Sequence, residues 1–568
     1  MTITAPVNSV TPAFIDELND NFAALDAAQV FNLAALKATE YAPAVVSVGY
    51  KTTPGDGWGG MFAYDASDTT TAGDDALVVV DATGRRWKRV YNGPVNAKWF
   101  GAKGDGVTND ASAINAAIQS AVASGKDTVI LDAGAVYYVA STIELSGVHL
   151  DGGNLIPGNP TEGTRILGAP ALTPVVTIGS LLSNQTSFLR NLTVTRSGTS
   201  PDSASIGIKV LDGYNINFEN VESDNHGVCW YFTGHPPGGL SIRLDNCYSA
   251  RAVDAHIWND TFPELYWMGG RIGQNGAGDY AANTYVRMSG GVGATAGGPN
   301  TVKFTNVQFN QGSNAPSHFW EFVDLNSPYV PGIDATVFNL TDCHIEGVSG
   351  SIFYSDATWN IVDRLTINGC VINTPTVPMW ALNAATQPAR WSLSGNNYFT
   401  STFTLAPTDP FTSVSIVGGY LSGTMSLTGV SGSTLSIANL AHGANFTLAG
   451  TWSGFNSFGE TFAAGAFINN ASGTVLYQGA QYSQRIQPQY SATLDGAGNA
   501  LIAHGLGASA VATAVVVFGS FKTGGGAWNP LVTNYIDATN VSVSGGAAGI
   551  GRPAWVEIIV NAAAHTGW

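Results

Sequence analysis

The stretch W-F-G-A-K-G-D-G-V-T-N-D-A-S-A-I-N-A-A-I-Q-S-A-V-A, Trp99 to Ala123, decides the fold. Its first half holds Gly101, Gly104 and Gly106, and glycine alone takes positive φ without cost, so a tight loop is expected. Its second half reads as a helix. Asn109 or Asp110 supplies the N-cap, and Ala113, Ile114, Ala117, Ile118, Ala121 and Val122 line one face. Gly125 stands where the helix would stop. A helix with one apolar face, set before a long array of short strands, suits the open end of a β-solenoid. That end otherwise exposes both its core and a strand edge. The loop lacks the G-K-[ST] ending of a phosphate cradle. Asp105 and Asp110 lack the spacing and final Glu of a calcium loop.

The array after the helix repeats. Strand ends recur as L-R-N-L-T-V-T at 189, F-E-N-V-E-S-D at 218, L-D-N-C-Y-S at 244 and M-G-G-R-I at 268. They continue as F-T-N-V-Q-F at 304, L-T-D-C-H-I-E at 340, I-N-G-C-V-I-N at 367 and L-S-G-N-N-Y at 393. An Asn, Asp or Gly falls at 191, 220, 246, 269, 306, 342, 369 and 395, at intervals of 23 to 37 residues. One polar turn residue between apolar strands, at such a period, is a solenoid signature, in which each repeat buries its apolar face against the next. Cys247, Cys343 and Cys370 share one slot, which predicts an interior line of thiols. A second strand follows about ten residues on, V-C-W-Y-F at 228, A-H-I-W at 255, Y-V-R-M at 285, F-W-E-F-V at 319, I-F-Y at 352 and M-W-A-L at 379. Outward rings from these strands, Trp230 among them, would form a platform for sugar rings, with core packing the alternative for each.

Composition narrows the class. Only 11% of 568 residues are charged, while 45% are hydrophobic and 68 are Gly, the profile of a turn-rich, packed β protein. A net charge of −17 argues against nucleic acid and anionic membrane as partners, though a locally basic groove could still take an acidic polysaccharide. Four dispersed Cys do not make a disulfide framework. No secretory signal and no apolar run long enough for a transmembrane helix is expected. No His/Cys spacing suits zinc, and no cofactor or metal is implied.

F-G-A-K-G-D-G-V-T-N-D followed by A-I-N-A-A-I resembles the opening of the pectate-lyase-like right-handed parallel β-helices, a superfamily that includes pectin-degrading enzymes and many bacteriophage tailspikes. The resemblance implies an all-β solenoid with an N-terminal capping helix. Around it, Phe14, Leu18, Phe22 and Leu25 form the stripe of a helix in residues 1–28, and F-I-x-x-L-N-x-N-F resembles the start of phage tail fibres and spikes. Residues 29–97, with G-W-G-G-M-F-A-Y-D and D-A-T-G-R-R-W-K-R-V, resemble a tailspike neck domain. Arg85, Arg86, Lys88 and Arg89 there suit a solvated hairpin or a docking surface. The β-helix is expected over 98–455 and a C-terminal β-domain over 456–568, opening on a hairpin at A-T-L-D-G-A-G-N-A-L-I-A. Tailspikes of this order are homotrimers attached to the phage tail through the N-terminus, soluble in the host cytoplasm before assembly. They recognise, and commonly depolymerise, host capsular polysaccharide or O-antigen.

Two outward ladders follow from the repeat. Two residues after the turn stand Glu222, Tyr248, Arg271, Gln308 and His344, and four after it stand Asp224, Ala250, Gly273, Asn310 and Glu346. Residues i and i+2 on a strand lie about 6.6–6.8 Å apart. Glu222 and Asp224 therefore have the spacing of an inverting glycosidase pair, with His226 beside them. The same pair also suits a solvated acidic strand. His344 with Glu346 and Arg271 makes a second constellation, which suits an acidic sugar or, with Tyr248, a lyase. Asp254, His256, Asp260, Glu264 and Asp279 are further candidates on insertions. The catalytic expectation falls on Glu222, Asp224 and Glu346. The sugar-binding expectation falls on Tyr248, Arg271, His344, His226, Trp230, Asp254 and Gln308.

Overall fold

The computed structural model describes residues 29–472 apart from connecting segments, the longest being 234–240, 274–281, 290–300, 324–336, 356–363, 382–389 and 406–412, and strands between 489 and 560. Side chains are described to residue 455. The helix expected in 1–28 and the candidate Asp279 lie outside the described residues. The fold is a right-handed parallel β-helix, the hand that right-twisted strands impose on parallel crossovers. The chain divides into two compact units, residues 1–226 and 227–568.

The first unit opens with β1 (Gln29–Asn32), α1 (Leu33–Lys37), β2 (Val45–Tyr50), β3 (Gly60–Asp65), β4 (Val78–Val80) and β5 (Arg86–Val90). The five strands form one sheet in the order β1-β2-β3-β5-β4. Its core is Leu36, Val46, Val48, Trp58, Phe62, Val79 and Trp87, all buried. Strand alternation splits the basic cluster. Arg89 points into this core, 7% exposed, with its guanidinium 4.6 Å from the Phe62 and Trp99 ring centroids and 4.8 Å from that of Trp58. It donates to the carbonyls of Trp58, Gly59 and Ala76. Burial lowers it to about 10. Arg85 pairs with Asp81 and Lys88 with Asp65 and Asp68. All four cations are engaged within the neck sheet, Arg86 donating to the Thr71 and Gly84 carbonyls.

The Gly loop takes its expected form, with Gly101, Gly104 and Gly106 at φ 98, 65 and 76°. The cap differs in detail. The helix α2 (Ala111–Ala123) buries Ala111, Ile114, Ala117, Ile118 and Ala121, while Val122 is exposed, because the apolar stripe runs one position earlier than expected. Asp110 caps no helix N–H. Its carboxylate turns back to the N–H groups of Lys103 (2.7 Å) and Gly104 (2.9 Å) and pins the Gly loop. Burial raises its carboxyl against those two bonds. Asn109 Oδ1 accepts instead from Ala111 N–H (3.3 Å) and Ala140 N–H (3.0 Å). Asn115 donates to the Thr142 carbonyl and accepts from Glu144 N–H, both at 2.9 Å, as a neighbouring strand would. The helix thereby closes the open strand edge as well as the open core.

Behind the cap, coils stack in parallel register. Val95 pairs with Val129, then Leu150, Leu189 and Phe218. Tyr137, Ile166, Val194 and Ser223 make a second inward column.

The second unit repeats three strand faces. Face A runs through Glu264–Ile272, Thr301–Thr305, Val337–Thr341, Arg364–Asn368, Arg390–Ser394, Ser413–Val417 and Thr434–Ala438. A left-handed turn leads to face B, which includes Gln308–Phe309, His344–Glu346, Val371–Asn373, Tyr398–Phe399 and Tyr420–Leu421. Face C holds Thr284–Ser289, His318–Val323, Ser351–Ser355 and Trp380–Ala381. Trp267, Phe304, Leu340, Ile367, Leu393 and Ile416 stack inside face A. Rings from faces A, B and C meet in the core, with Phe304–Trp320 at 5.7 Å and Phe309–Phe319 at 4.7 Å.

Each expected turn position takes positive φ. Asn191 and Asn220 do so in the first unit, and Asn246, Gly269, Asn306, Asp342, Gly369 and Gly395 in the second, between 50 and 75°. Cys247, Cys343 and Cys370 are buried thiols. Cys343 and Cys370 are neighbours, the Cys343 N–H meeting the Cys370 sulfur at 3.4 Å, and the hydrogen bond to Cys370, together with burial, pushes the Cys343 thiol up. Gly270 pairs with Cys247, so the line is not thiol throughout. Parallel pairing runs on to Thr461–Phe462 and Phe467–Ser472. Antiparallel sheets follow from Gln489. The hairpin expected at 492 is absent. Gln489–Thr493 pairs with Pro553–Val560, and Asn499–Ala503 with Asn540–Ser544, because distant strands outcompete the local turn.

Asp81 gives the neck sheet an acid limit. Burial would raise its carboxyl, but Trp87 Nε1, Thr83 Oγ1 and the Arg85 guanidinium donate to it at 3.0, 2.8 and 2.6 Å and hold it at about 2. A carboxylate depressed below its unfolded value of about 3.9 adds stability above that pH and loses it as pH falls. Protection of the Trp87 and Arg89 amides from hydrogen exchange, relative to the intrinsic rate at each pH, should therefore fall between about pH 4 and pH 2, and Asp81→Asn should reduce that pH dependence. Equal pH slopes in the two proteins would contradict it.

Candidate functional site

In the first unit, Glu222 lies beside Thr193 and Ser223 beside Val194. Glu222 and Asp224 share the outward side of their strand, opposite inward Ser223. Asp224 accepts from Thr195 Oγ1 at 3.0 Å. The strand parity is the one expected, but the exposure is not. Glu222 is 1% exposed and Asp224 and His226 are 0%. His226 lies against Gly207, where a Cβ would fall 2.5 Å from its ring. The outward column is covered here, so these three residues do not stand on an open face.

In the second unit, the expected ladder on face B is in register. Tyr248 pairs with Arg271, Arg271 with Gln308 and Gln308 with His344, each step about 4.8 Å. Gln308 is exposed, and Tyr248, Arg271 and His344 are partly so. Among the described residues, Arg271 makes no hydrogen bond or ion pair, leaving five guanidinium donors uncommitted. His344 Nε2 lies 2.9 Å from Glu346 Oε1. In this bond the ring nitrogen Nε2 is the donor and the carboxylate oxygen the acceptor. The Glu346 backbone is held by Tyr285 Oη, which donates to its carbonyl at 3.0 Å. Further along the ladder Tyr398 and Tyr420 stack, centroids 5.4 Å apart.

Face C carries a network that was not expected. The Arg287 guanidinium donates to both Asp254 oxygens and, through Nε, to Glu321 at 2.8 Å. It also lies 5.2 Å from the Trp258 ring centroid. These charged side chains are only 12–17% exposed. Asn283 donates to Asp254, and Ser289 joins Trp258 Nε1 to Asp260. Tyr231 reaches Asp260 at 3.4 Å and is pushed up to about 12 by burial and that carboxylate. Burial opposes the Arg287 charge, but its two carboxylates prevail and raise it. Asp254 is thus tied into an ion-pair network. The signal for Arg287 and Glu321 was a single charge inside each apolar run, Y-V-R-M and F-W-E-F-V, in register.

Trp230 is a correction. It is 0% exposed, packs edge-on against Trp267 at 5.4 Å and donates to the Tyr248 carbonyl, so it belongs to the core. Its neighbour Tyr231 faces outward instead, a parity shift of one residue. His256 is likewise buried, bonded to Ser249 Oγ at 2.9 Å. Among the described residues no cluster of three His, Cys, Asp or Glu suits a metal ion.

Comparison with known families agrees with this layout. Residues 29–92 match the phage tail protein small four-stranded beta-sheet domain, and residues 94–327 match the Rhamnogalacturonase A/epimerase, pectate lyase-like family. The chain thus carries a phage-tail β-sheet domain followed by a pectate-lyase-like segment. Solved structures similar to the chain include the tailspike gp49 of Acinetobacter baumannii bacteriophage Fri1, described as a capsular polysaccharide depolymerase. It is 12% identical over 93% of this chain and 97% of that one, with a TM-score of 0.48. The tailspike of Acinetobacter phage vB_ApiP_P1 is 11% identical over 94% and 98%, with a TM-score of 0.41. WceF of Pantoea stewartii, a glycan biofilm modifying enzyme, is 11% identical over 94% and 71%, with a TM-score of 0.31.

A core role for Trp230 has a measurable signature. Trp230→Ala should cost about 3–5 kcal/mol of stability in a denaturant titration, as large core truncations do. A variant as stable as the parent would return Trp230 to the surface.

Proposed function

We propose that this chain is a phage tailspike that binds and depolymerises a host surface polysaccharide, capsule or O-antigen, at face B of the second unit. The observation that carries this reading is the accessible ladder of Tyr248, Arg271, Gln308 and His344, with Glu346 bonded to His344 and Arg271 uncommitted. Arg271 and His344 stand two coils apart, about 10 Å, which leaves room for a sugar ring above Gln308. Arg271 would hold a sugar carboxylate through paired N–H bonds. His344, oriented by Glu346, would take the proton α to that carboxylate; the electron pair would form the C4–C5 double bond as the glycosidic C4–O bond breaks, and the leaving oxygen would take a proton from water.

Glycoside hydrolysis is the second reading. It is favoured by Glu222 and Asp224, whose i, i+2 relation gives about 6.6–6.8 Å, within the inverting range. In this reading one of them protonates the leaving oxygen and the other activates water. Their burial sets it behind the first. In either reading the protein acts as a homotrimer held to the phage tail by its N-terminal segment.

Incubation with capsule or O-antigen of candidate hosts, followed by sizing of the polymer and ultraviolet absorbance of unsaturated uronate, tests this. Elimination predicts shortened, absorbing product, lost by at least a hundredfold in His344→Ala and Arg271→Gln, consistent with roughly 10²–10⁴-fold for a general base. Shortened product without absorbance, abolished by Glu222→Gln or Asp224→Asn, would establish hydrolysis instead. A polymer that binds and keeps its length would leave an adhesin.

A further inference from the structure

Face A holds two arginines where local electrostatics disfavours them. The strands Arg364–Asn368 and Arg390–Ser394 pair in parallel, with Arg364 directly opposite Arg390. Both strands alternate alike, so both guanidinium groups leave on the outward side, and both residues are exposed. Adjacent coils are about 4.8 Å apart, and like charges placed opposite each other destabilise a sheet. Relief is absent from the rest of the column. It reads Glu264, Thr301, Val337, Arg364, Arg390 and Ser413, so its carboxylate, Glu264, stands three coils away from Arg364, about 14 Å. Among the described residues neither arginine makes a hydrogen bond or ion pair.

Six cations elsewhere in the chain are paired. Lys37, Arg85, Lys88, Arg190, Arg243 and Arg287 each have an aspartate within 3 Å. The chain holds 40 acidic and 23 basic residues, so a partner carboxylate is readily available to most cations. Two adjacent arginines without one leave their donors pointed at solvent.

We propose that Arg364 and Arg390 bind the carboxylate groups of an acidic polysaccharide. One carboxylate can accept from both guanidinium groups at this spacing, or successive acidic sugars can take one each. An anion there also cancels the repulsion between the arginines. The site begins five residues before the left-handed turns at Gly369 and Gly395, so it is separate from Arg271 and His344 on face B. The inference rests on the reading of the protein as polysaccharide-binding, and it adds a second contact, on face A, for the acidic groups of the polymer.

The test is affinity electrophoresis of the full-length protein in gels containing polygalacturonate, with neutral dextran as control. Wild type should be retarded by polygalacturonate alone, and retardation should fall with added salt. Arg364→Gln with Arg390→Gln should weaken it at least tenfold and flatten the salt dependence, while Arg→Lys changes weaken it less. The double variant should melt no lower than wild type, since like-charge repulsion has been removed. Absence of retardation in wild type, or equal retardation of the double variant, overturns the proposal. So does a fall in oligomeric mass of the double variant, which would make the pair a contact between copies of the chain. Failure of the depolymerase reading looks different: polygalacturonate or capsule is held by the arginine pair and released at full length.

Discussion

The left-handed turn between faces A and B is the constraint on which the coils depend. Each coil must change direction within one residue without breaking the hydrogen-bond ladder on either side. Positive φ does this, and Asn, Asp and Gly are the residues that visit that region routinely. One residue past the turn, at Gly270, a Cβ would overlap the Cys247 carbonyl oxygen of the previous coil. In the first unit the turn is also tied from coil to coil, Asn220 Nδ2 donating to Asn191 Oδ1 and Asn191 Nδ2 to Asp151. A fixed turn fixes register, and register decides which side chains stack inside and which form outward columns.

That dependence explains what the sequence disclosed. The turn residues are polar islands between apolar strands, so their positions could be read directly, and the face B ladder followed by counting two residues onward. Face C has no such marker. Its strands follow loops of varied length, so the parity of V-C-W-Y-F could not be anchored, and Trp230 was placed outward where Tyr231 belongs. The same gap hid Arg287 and Glu321. Glu222 and Asp224 show a different limit. Their parity on the strand was legible, but what covers an outward column is a tertiary matter that a strand pattern does not encode.

Charge density was read well in total and poorly in place. Arg85, Arg86, Lys88 and Arg89 look like one patch in a list of residues. On a strand they alternate, and Arg89 ends among Trp58, Phe62 and Trp99, where three carbonyls and three rings replace its hydration. A buried cation is tolerable when every donor has an acceptor and the surrounding rings present their negative faces. Asp110 follows the same rule with opposite sign, its carboxylate exchanged from helix cap to loop pin because the loop offers two N–H groups in a buried place.

A solenoid separates the tasks of its residues more cleanly than a globular domain does. Inward columns such as Trp267–Phe304–Leu340–Ile367 must stack and are fixed by volume. Outward columns are constrained only by their neighbours on the coils above and below. A cation without an acidic partner on an outward column, where Lys37, Arg85, Lys88, Arg190, Arg243 and Arg287 each have one, is open to an external anion. Arg271 on face B and the Arg364–Arg390 pair on face A are of this kind, and an anion bound there would replace their hydration with paired hydrogen bonds. The net charge of −17 would repel such a ligand at long range, an effect that salt screens within about 10 Å. Recognition then falls to short-range, bidentate contacts at fixed spacing along the coil axis, which select a polymer by the spacing of its acidic groups as well as by their charge.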